Sequence, residues 1–521
     1  MFIKIKTTIY ISVFTLIVGM SGCKKITPDL NVNPNVPSVV DPKYLLSGSL
    51  TKSAALVVGN PGGGSQSGND LIDIWMGYWT VSGDYIPSAP LLQYTLTNAF
   101  GSSIWNNTYL NLIDYKKILD FYGTSASTSG ARYTAMARIM MAFHYQRLVD
   151  MYNNIPYSQA LNGGPNNYPT YDNADSVYQK LVTELTSCVA LINTAATATA
   201  DNPGGYDIMY GGDMTKWKAF ANTTKLKLLV HLSHLPTRAG YITANLAGMT
   251  TADFIGANAD ATIQPGYTNA AGNQQNPLWN DVGFTTSGAL NGDGTYFRAN
   301  IYGVNFYKNN NDPRLIDFYT PATATGTVVG RVFGSTNGQE TNSKISGLGG
   351  NANGATQTFG TCKSATQGSV ILSSSESLFL QTEAQERGFL PGGSAGANAS
   401  FQSAVTESFR YLGVPSFAAA AATYISQANN NTNLVASNNR IRTIILQKWA
   451  AMNTINPLES WTDWRRLNIP SDIPLSTYPG VTAPHIPYRL IYPTSEYDSN
   501  PTNVNAQGAI DPINNKIFWM P

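Results

Sequence analysis

The stretch DIWMGYWTVSGDY, residues 73–85, sets Trp75 and Trp79 four apart and flanks them with Tyr78 and Tyr85. Flat aromatic faces stack on the C–H surfaces of sugar rings, while amides and carboxylates take the hydroxyls. Trp279 in NPLWND and Tyr296 in GDGTYF add two rings from loop-like surroundings, where binding residues concentrate. Trp75, Trp79, Tyr85, Trp279 and Tyr296 are therefore the candidate ligand-binding residues. A second use is open to the same stretch: Trp75, Tyr78 and Trp79 can pack a helix against a core.

Patterns for covalent or metal chemistry lack their context. GGSAG (392–396) matches GxSxG, but it follows a helix end and Pro391 rather than a strand, and reads as a loop. GLGGNA (347–352) matches GxGxxA without the strand before and helix after that a dinucleotide needs. His231 and His234 share a helix face near its C-terminus, where histidine suits the dipole, and no third ligand accompanies them. With four histidines in the chain, a His-based triad is not expected either. The expectation is no catalytic residue, no metal and no cofactor.

Charged residues make up 12% of the 521-residue chain, about half the usual globular share, and formal net charge is +1. That leaves no basic field for nucleic acid. The wealth of Asn, Thr, Ser, Gly and Tyr suits uncharged polar ligands. At the N-terminus, Lys4 and Lys6 precede an apolar run from Ile9 to Val18 that is too short to span a bilayer. Residues 1–22 read as a signal peptide, and Ser21-Gly22-Cys23 resembles a bacterial lipobox, with Met20 in place of the usual Leu. Cys23 is thus the expected lipid attachment, and two or three acyl chains would anchor the mature protein stably. Cys188 falls with Val177, Leu181, Leu185 and Ile192 at helical spacing as a core residue; a Cys188–Cys362 disulfide is left open.

Helical periodicity runs through residues 104–121 and 130–152, and again in segments near 172–192, 213–234, 375–390, 400–413 and 440–453. Asp172 and Asp213 stand where N-caps belong. Paired helices with short stops resemble tetratricopeptide-like hairpins, so the fold class is mainly α, with long irregular loops and a few short strands. Residues 23–521 read as a single domain with a loop-rich insertion around 240–370. Short strings then carry a family resemblance in order along the chain: RLVDMYNNIPYSQAL (147–161), GGDMTKWKAFANTTKLKLLVHLS (211–233), Asp312-Pro313-Arg314, SESLFLQTEAQERG (375–388) and IPYRLIYPTSEYDSNPTN (486–503). Together they resemble the SusD/RagB proteins, with Glu376 and Glu383 at the family's acidic positions. Trp217 and Phe220 read as core anchors, and Glu383 as a hydrogen-bonded structural carboxylate.

The resemblance implies an outer-membrane lipoprotein of Bacteroidetes-type bacteria that binds an oligosaccharide or peptide. Its implied partner is a SusC-like TonB-dependent barrel. It also implies a cell-surface orientation, although one acid, Asp29, follows Cys23 closely where surface-exposed members often carry several. Two other functions stay open. A glycan hydrolase would need two carboxylates about 5 to 10 Å apart across a cleft. A docking or adhesion protein would use the helical repeats as its surface.

Overall fold

Short polar side chains start the helices. Asp213 accepts the backbone N–H groups of Thr215 and Lys216 at 2.9 and 3.3 Å; Ser373 takes that of Glu376 at 3.1 Å, and Asn439 that of Arg442 at 3.0 Å. Asp172 does not cap. Asn173 receives the Ser176 N–H at 3.1 Å, while Asp172 turns back to the amides of Tyr157 and Ser158 at 3.0 and 2.8 Å. GGSAG is also no loop: Gly392, at φ 114°, turns the chain, and a helix begins at Gly393. The element before the motif is a helix, so the strand that would aim a nucleophilic serine is missing.

The computed structural model describes residues 40–59, 68–86, 88–122, 130–195, 202–272, 274–336, 340–349 and 360–521. Cys23 lies outside the described residues. The principal helices are α1 (Pro42–Val58), α2 (Asn69–Trp75), α3 (Ser102–Tyr122), α4 (Ala131–Tyr152), α5 (Ala174–Ala195) and α6 (Met214–His231). They continue with α7 (Ile301–Asn309), α8 (Ser374–Glu386), α9 (Gly393–Leu412), α10 (Phe417–Ile425), α11 (Arg440–Met452) and α12 (Pro457–Leu467). Successive helices pack on each other, α3 on α4, α4 on α5 and α5 on α6, then α8 on α9 and α11 on α12. The fold is mainly α, and its strands are short antiparallel pairs, among them β2 (Ile155–Pro156) with β3 (Tyr171–Asp172) and β6 (Tyr319–Thr320) with β7 (Gly347–Leu348). Between residues 240 and 370 the chain is not bare loop: β5 (Phe297–Ala299) reaches back to β1 (Trp79–Val81), and β4 (Ala261–Ile263) pairs with β8 (Ser369–Leu372). No helix among the described residues is long and apolar enough to cross a membrane. Cys188 and Cys362 are both buried, and no disulfide joins them to each other.

The core is aromatic and, unusually, ionic. Trp217 and Phe220 are fully buried, as are Trp75 and Trp461, whose rings lie 5.2 Å apart. Between α6, α8, α11 and α12 runs a buried chain of charges. Lys227 bridges Glu376 at 2.6 Å and Glu459 at 3.2 Å; Lys448 joins Glu459 to Asp463, the latter at 3.2 Å. Arg466 binds Asp463 at 2.8 Å and Glu383 at 2.7 Å. His231 lies between Glu459 at 3.3 Å and Asp150 at 3.4 Å. Burial alone would raise the Glu383 pKa, but Arg466 and Arg387 outweigh it and hold the carboxyl well below its usual range. Asp312 and Arg314 form a second closed pair, 2.6 Å apart and fully buried.

Removing one member of such a pair strands the other in low dielectric. Glu383→Ala should therefore cost about 3–5 kcal/mol in urea denaturation. Lys117→Ala, which breaks an exposed 3.0 Å pair with Asp114, should cost under about 1 kcal/mol. Equal costs for the two would refute the structural role assigned to the buried chain.

Candidate functional site

Strand β1 leaves the core and delivers the chain to the surface. Its register with β5 sets Trp79 opposite Ala299, Thr80 opposite Arg298 and Val81 opposite Phe297. The Ser82 N–H then donates to the Tyr296 carbonyl at 2.8 Å, extending the pairing by one step. Three residues on, Tyr85 reaches Tyr296: the ring centroids are 5.1 Å apart at 76°, and the Tyr85 hydroxyl bonds that of Thr295. Tyr85 is 39% exposed, the neighbouring Ile86 93%, and Tyr296 is half-buried.

Polar groups frame these rings. Arg298 donates from Nε to Asn342 Oδ1 at 2.6 Å and from Nη1 to the Gly294 carbonyl at 2.6 Å. The same Asn342 oxygen accepts the Ser82 hydroxyl at 2.6 Å, and Asp84 Oδ2 accepts the Asn342 N–H at 2.7 Å. Arg331 crosses behind, donating to the Val81 carbonyl at 2.8 Å and pairing with Glu340 at 2.8 Å. Gly83 lets the 340–342 segment close on this loop, since a Cβ there would stand 2.5 Å from the Glu340 oxygen. Burial lowers the Arg298 pKa to about 10, against the pull of Tyr85 and Asp84, so it stays cationic at neutral pH. The arrangement offers a ring face, an apolar edge and an anchored set of amide, hydroxyl and carboxylate groups. These are the elements of saccharide recognition.

Of the five aromatic candidates, Tyr85 and Tyr296 come together at the surface. Trp75, Trp79 and Trp279 are instead buried, at 1%, 3% and 4% exposure, and offer no open ring. Trp79 donates its indole N–H to the Thr454 hydroxyl at 3.1 Å, and Trp279 packs on Phe284 with ring centroids 5.4 Å apart. Tyr78 stacks on Trp449 at 4.8 Å, so the first three rings pack into the core, although Trp75 alone is helical and Trp79 stands on β1. Among the described residues, no group of three or more His, Cys, Asp or Glu side chains is placed to hold a metal. Arg298, Arg331 and Asn342 had no local signal, because the bonds that join Arg298 to Asn342, Asn342 to Ser82 and Arg331 to Val81 span 44 to 260 residues of chain.

Beneath the strand pair lies a cavity of about 20 Å³, the room of one water, lined by Asp70, Asp73, Trp79, Asp281, Asp293 and Phe297. Asp70 Oδ2 has no hydrogen-bond partner there. Burial first, and the Asp293 charge second, push the Asp70 carboxyl up to about 7. Burial also holds Asp73 well above the carboxylate range, against the Thr454 N–H that it accepts at 3.0 Å.

A family model described as SusD-like, starch-binding and associating with the outer membrane matches residues 34–493. The chain belongs to that family. A SusD homologue from Bacteroides fragilis shares its fold at 20% identity and a TM-score of 0.70, covering 92% of this chain and 99% of that one. A SusD-like protein from Bacteroides thetaiotaomicron matches at 20% identity and a TM-score of 0.72, over 92% of this chain and 99% of its own. A chitin-binding SusD homologue from Flavobacterium johnsoniae does so at 18% and 0.70, over 91% and 98%. No curated protein sequence matches the chain.

The Asp70 carboxyl gives the site a pH signature. Its folded pKa is raised, so the folded state binds more protons than the unfolded one between about pH 4 and 7, and stability falls as pH rises through that window. Asp70→Asn should raise the unfolding free energy measured by urea denaturation at pH 8 by roughly 1–3 kcal/mol and change it little near pH 4. A variant with the same pH dependence as the parent would remove the assignment.

Proposed function

We propose that this SusD-like chain is a lipid-anchored outer-membrane receptor that captures oligosaccharide on its Tyr85–Tyr296 face and passes it to a SusC-like TonB-dependent barrel. The observation that carries the reading is the tyrosine pair, Tyr85 exposed and Tyr296 half-buried, seated over β1 and β5 and framed by Asp84, Asn342 and Arg298. A sugar ring lies on the open tyrosine face with its C–H surface down, and its hydroxyls reach Asp84, Thr295 and Asn342. Family membership supports a glycan of the starch or chitin kind, as does the chitin-binding relative.

Binding rather than hydrolysis suits the carboxylates of this face. Asp84 is engaged by the Asn342 amide, and Glu340 by Arg331, so both hold loops in place. A hydrolase needs one free acid and one free nucleophile or base. Lipidation at Cys23 would tether the chain to the outer membrane, facing the cell surface, and leave the helical body to sit over the barrel as a lid.

Calorimetry with maltoheptaose and chitohexaose tests the face. The double variant Tyr85→Ala, Tyr296→Ala should lose at least about tenfold in affinity, ~1.4 kcal/mol, with its helical circular dichroism unchanged. Undiminished affinity would sink the assignment, and release of shorter sugars by the parent protein would favour a hydrolase. Separately, Cys23→Ser should move the protein from the membrane fraction to the soluble one; retention at the membrane would exclude the lipid anchor.

A further inference from the structure

The C-terminal end of α4 is held by two buried guanidinium groups, and they are not used alike. Helix α4 ends at Tyr152, and Asn153 turns away at φ 66°. Arg465 donates to the Asp150 carbonyl and Arg489 to that of Tyr152, both complementing the helix dipole. All the nitrogens of Arg465 are occupied, by Trp461 O at 3.1 Å, Tyr488 O at 3.0 Å and the Thr462 hydroxyl at 3.1 Å besides Asp150. Arg489 binds the Leu490 carbonyl through Nε at 3.3 Å and that of Tyr152 through Nη2, and its guanidinium also hydrogen-bonds the Tyr492 hydroxyl. Among the described residues no carboxylate pairs with it, although the side chain is 4% exposed and stacks at 5.1 Å over Tyr492.

Arg489 borders a cavity of about 430 Å³ whose other walls include Asn153, Asn154, Gln507, Asn514 and Lys516. That volume falls in the range of small-ligand sites. Its amides are set by their own bonds: Asn153 Oδ1 accepts the Phe518 N–H at 2.8 Å, and Asn154 Nδ2 donates to Gln507 Oε1 at 3.0 Å. The Lys516 ammonium donates to the Pro521 oxygen, and Asp511 is spent on the rim, accepting Asn514 Nδ2 at 2.6 Å and the Ile513 N–H at 2.8 Å. The cavity is thus an amide-lined space with cationic walls and a buried positive charge that lacks a counter-ion. Such a charge is costly unless an anion meets it.

We infer that this cavity is a second ligand site, which takes a uronic acid unit with its carboxylate on the Arg489 guanidinium, on the wall it shares with Lys516, and its hydroxyls on the surrounding amides. A guanidinium meets a carboxylate through charge-assisted hydrogen bonds, and the amides give both donors and acceptors for hydroxyls. The site shares no residue with the Tyr85–Tyr296 face and does not rest on the function proposed for that face.

Titration calorimetry of the mature protein with glucuronate and galacturonate, against glucose and galactose, tests it. Each uronate should bind at least about tenfold more tightly than its neutral counterpart, with an affinity that falls as salt is added. Lys516→Glu, at an exposed rim position, should weaken uronate binding about tenfold without shifting the melting temperature. Arg489→Gln should abolish binding, and Arg489→Lys should recover part of it. Uronates binding no better than neutral sugars would overturn the inference. So would binding that survives both Lys516→Glu and Arg489→Gln. Acetate competing as well as the uronates would replace the saccharide with a bare carboxylate, and loss of uronate binding in the Tyr85→Ala, Tyr296→Ala variant would move the ligand to the other face.

Discussion

A buried alternation of opposite charges holds the helices of the core in place. Glu376, Lys227, Glu459, Lys448, Asp463, Arg466 and Glu383 follow one another through the middle of the helical body, each within ion-pair distance of the next. Desolvating any one of them alone would cost several kcal/mol, so each is tolerable only where its neighbours are. That condition is met at one mutual placement of α6, α8, α11 and α12, and a slide of any helix by a turn would separate charges from partners. His231 adds a condition on protonation. Burial opposes its charge, but Glu459 and Asp150 outweigh burial and raise its pKa. Its contribution to stability is full below the ordinary histidine range and fades as pH rises through the raised value. Asp150 in turn accepts from Trp519 at 3.1 Å and from Tyr178, which carries the network into α5 and the C-terminal segment.

This fixed interior is what places the outer face. The stretch from Asp73 to Tyr85 crosses from core to solvent in thirteen residues. Trp75 packs on Trp461 of α12, and the Tyr78 hydroxyl donates to the Trp449 carbonyl of α11 and accepts the Ser460 hydroxyl of α12, each at 2.7 Å. Trp79 is pinned to Thr454. With two rings anchored on α11 and α12 and the third on the turn between them, β1 leaves in a set direction, and β5 pairs with it in one register. Tyr85 and Tyr296 meet because of that register, so the face inherits its geometry from helices whose own sequences carry no ligand chemistry.

How far this could be read in the chain follows from the range of each interaction. Helices were legible, because their apolar period and caps such as Asp213 are local. Asp172 misled because Asn173, the next residue, is an equally good cap, and the fold uses Asp172 to hold the turn at Tyr157. Glu383 could be read as a structural carboxylate from its apolar helix face, yet Arg466 lies 83 residues away and leaves no trace near it. Trp279 misled in the other sense. Its Gly- and Asn-rich surroundings suggest a loop, but Asn276 caps and Pro277 opens a short helix that turns the indole inward. GGSAG shows the same limit, since Gly392 turns the chain into a helix rather than through a loop.

The low charge content takes on a different meaning once the charges are located. Of the 12% of residues that are charged, many of the strongest pairs lie inside, among them Lys227, Lys448, Arg314 and Arg466 with their carboxylates. Charge is used here to fix helices, and the surface is left to amides, hydroxyls and rings. A surface of that kind discriminates weakly by long-range field and strongly by contact, which is how a neutral sugar must be recognised. The tyrosine face fits that rule. The cavity beside Arg489 departs from that rule: there a buried guanidinium with no carboxylate partner among the described residues borders an open, amide-lined space.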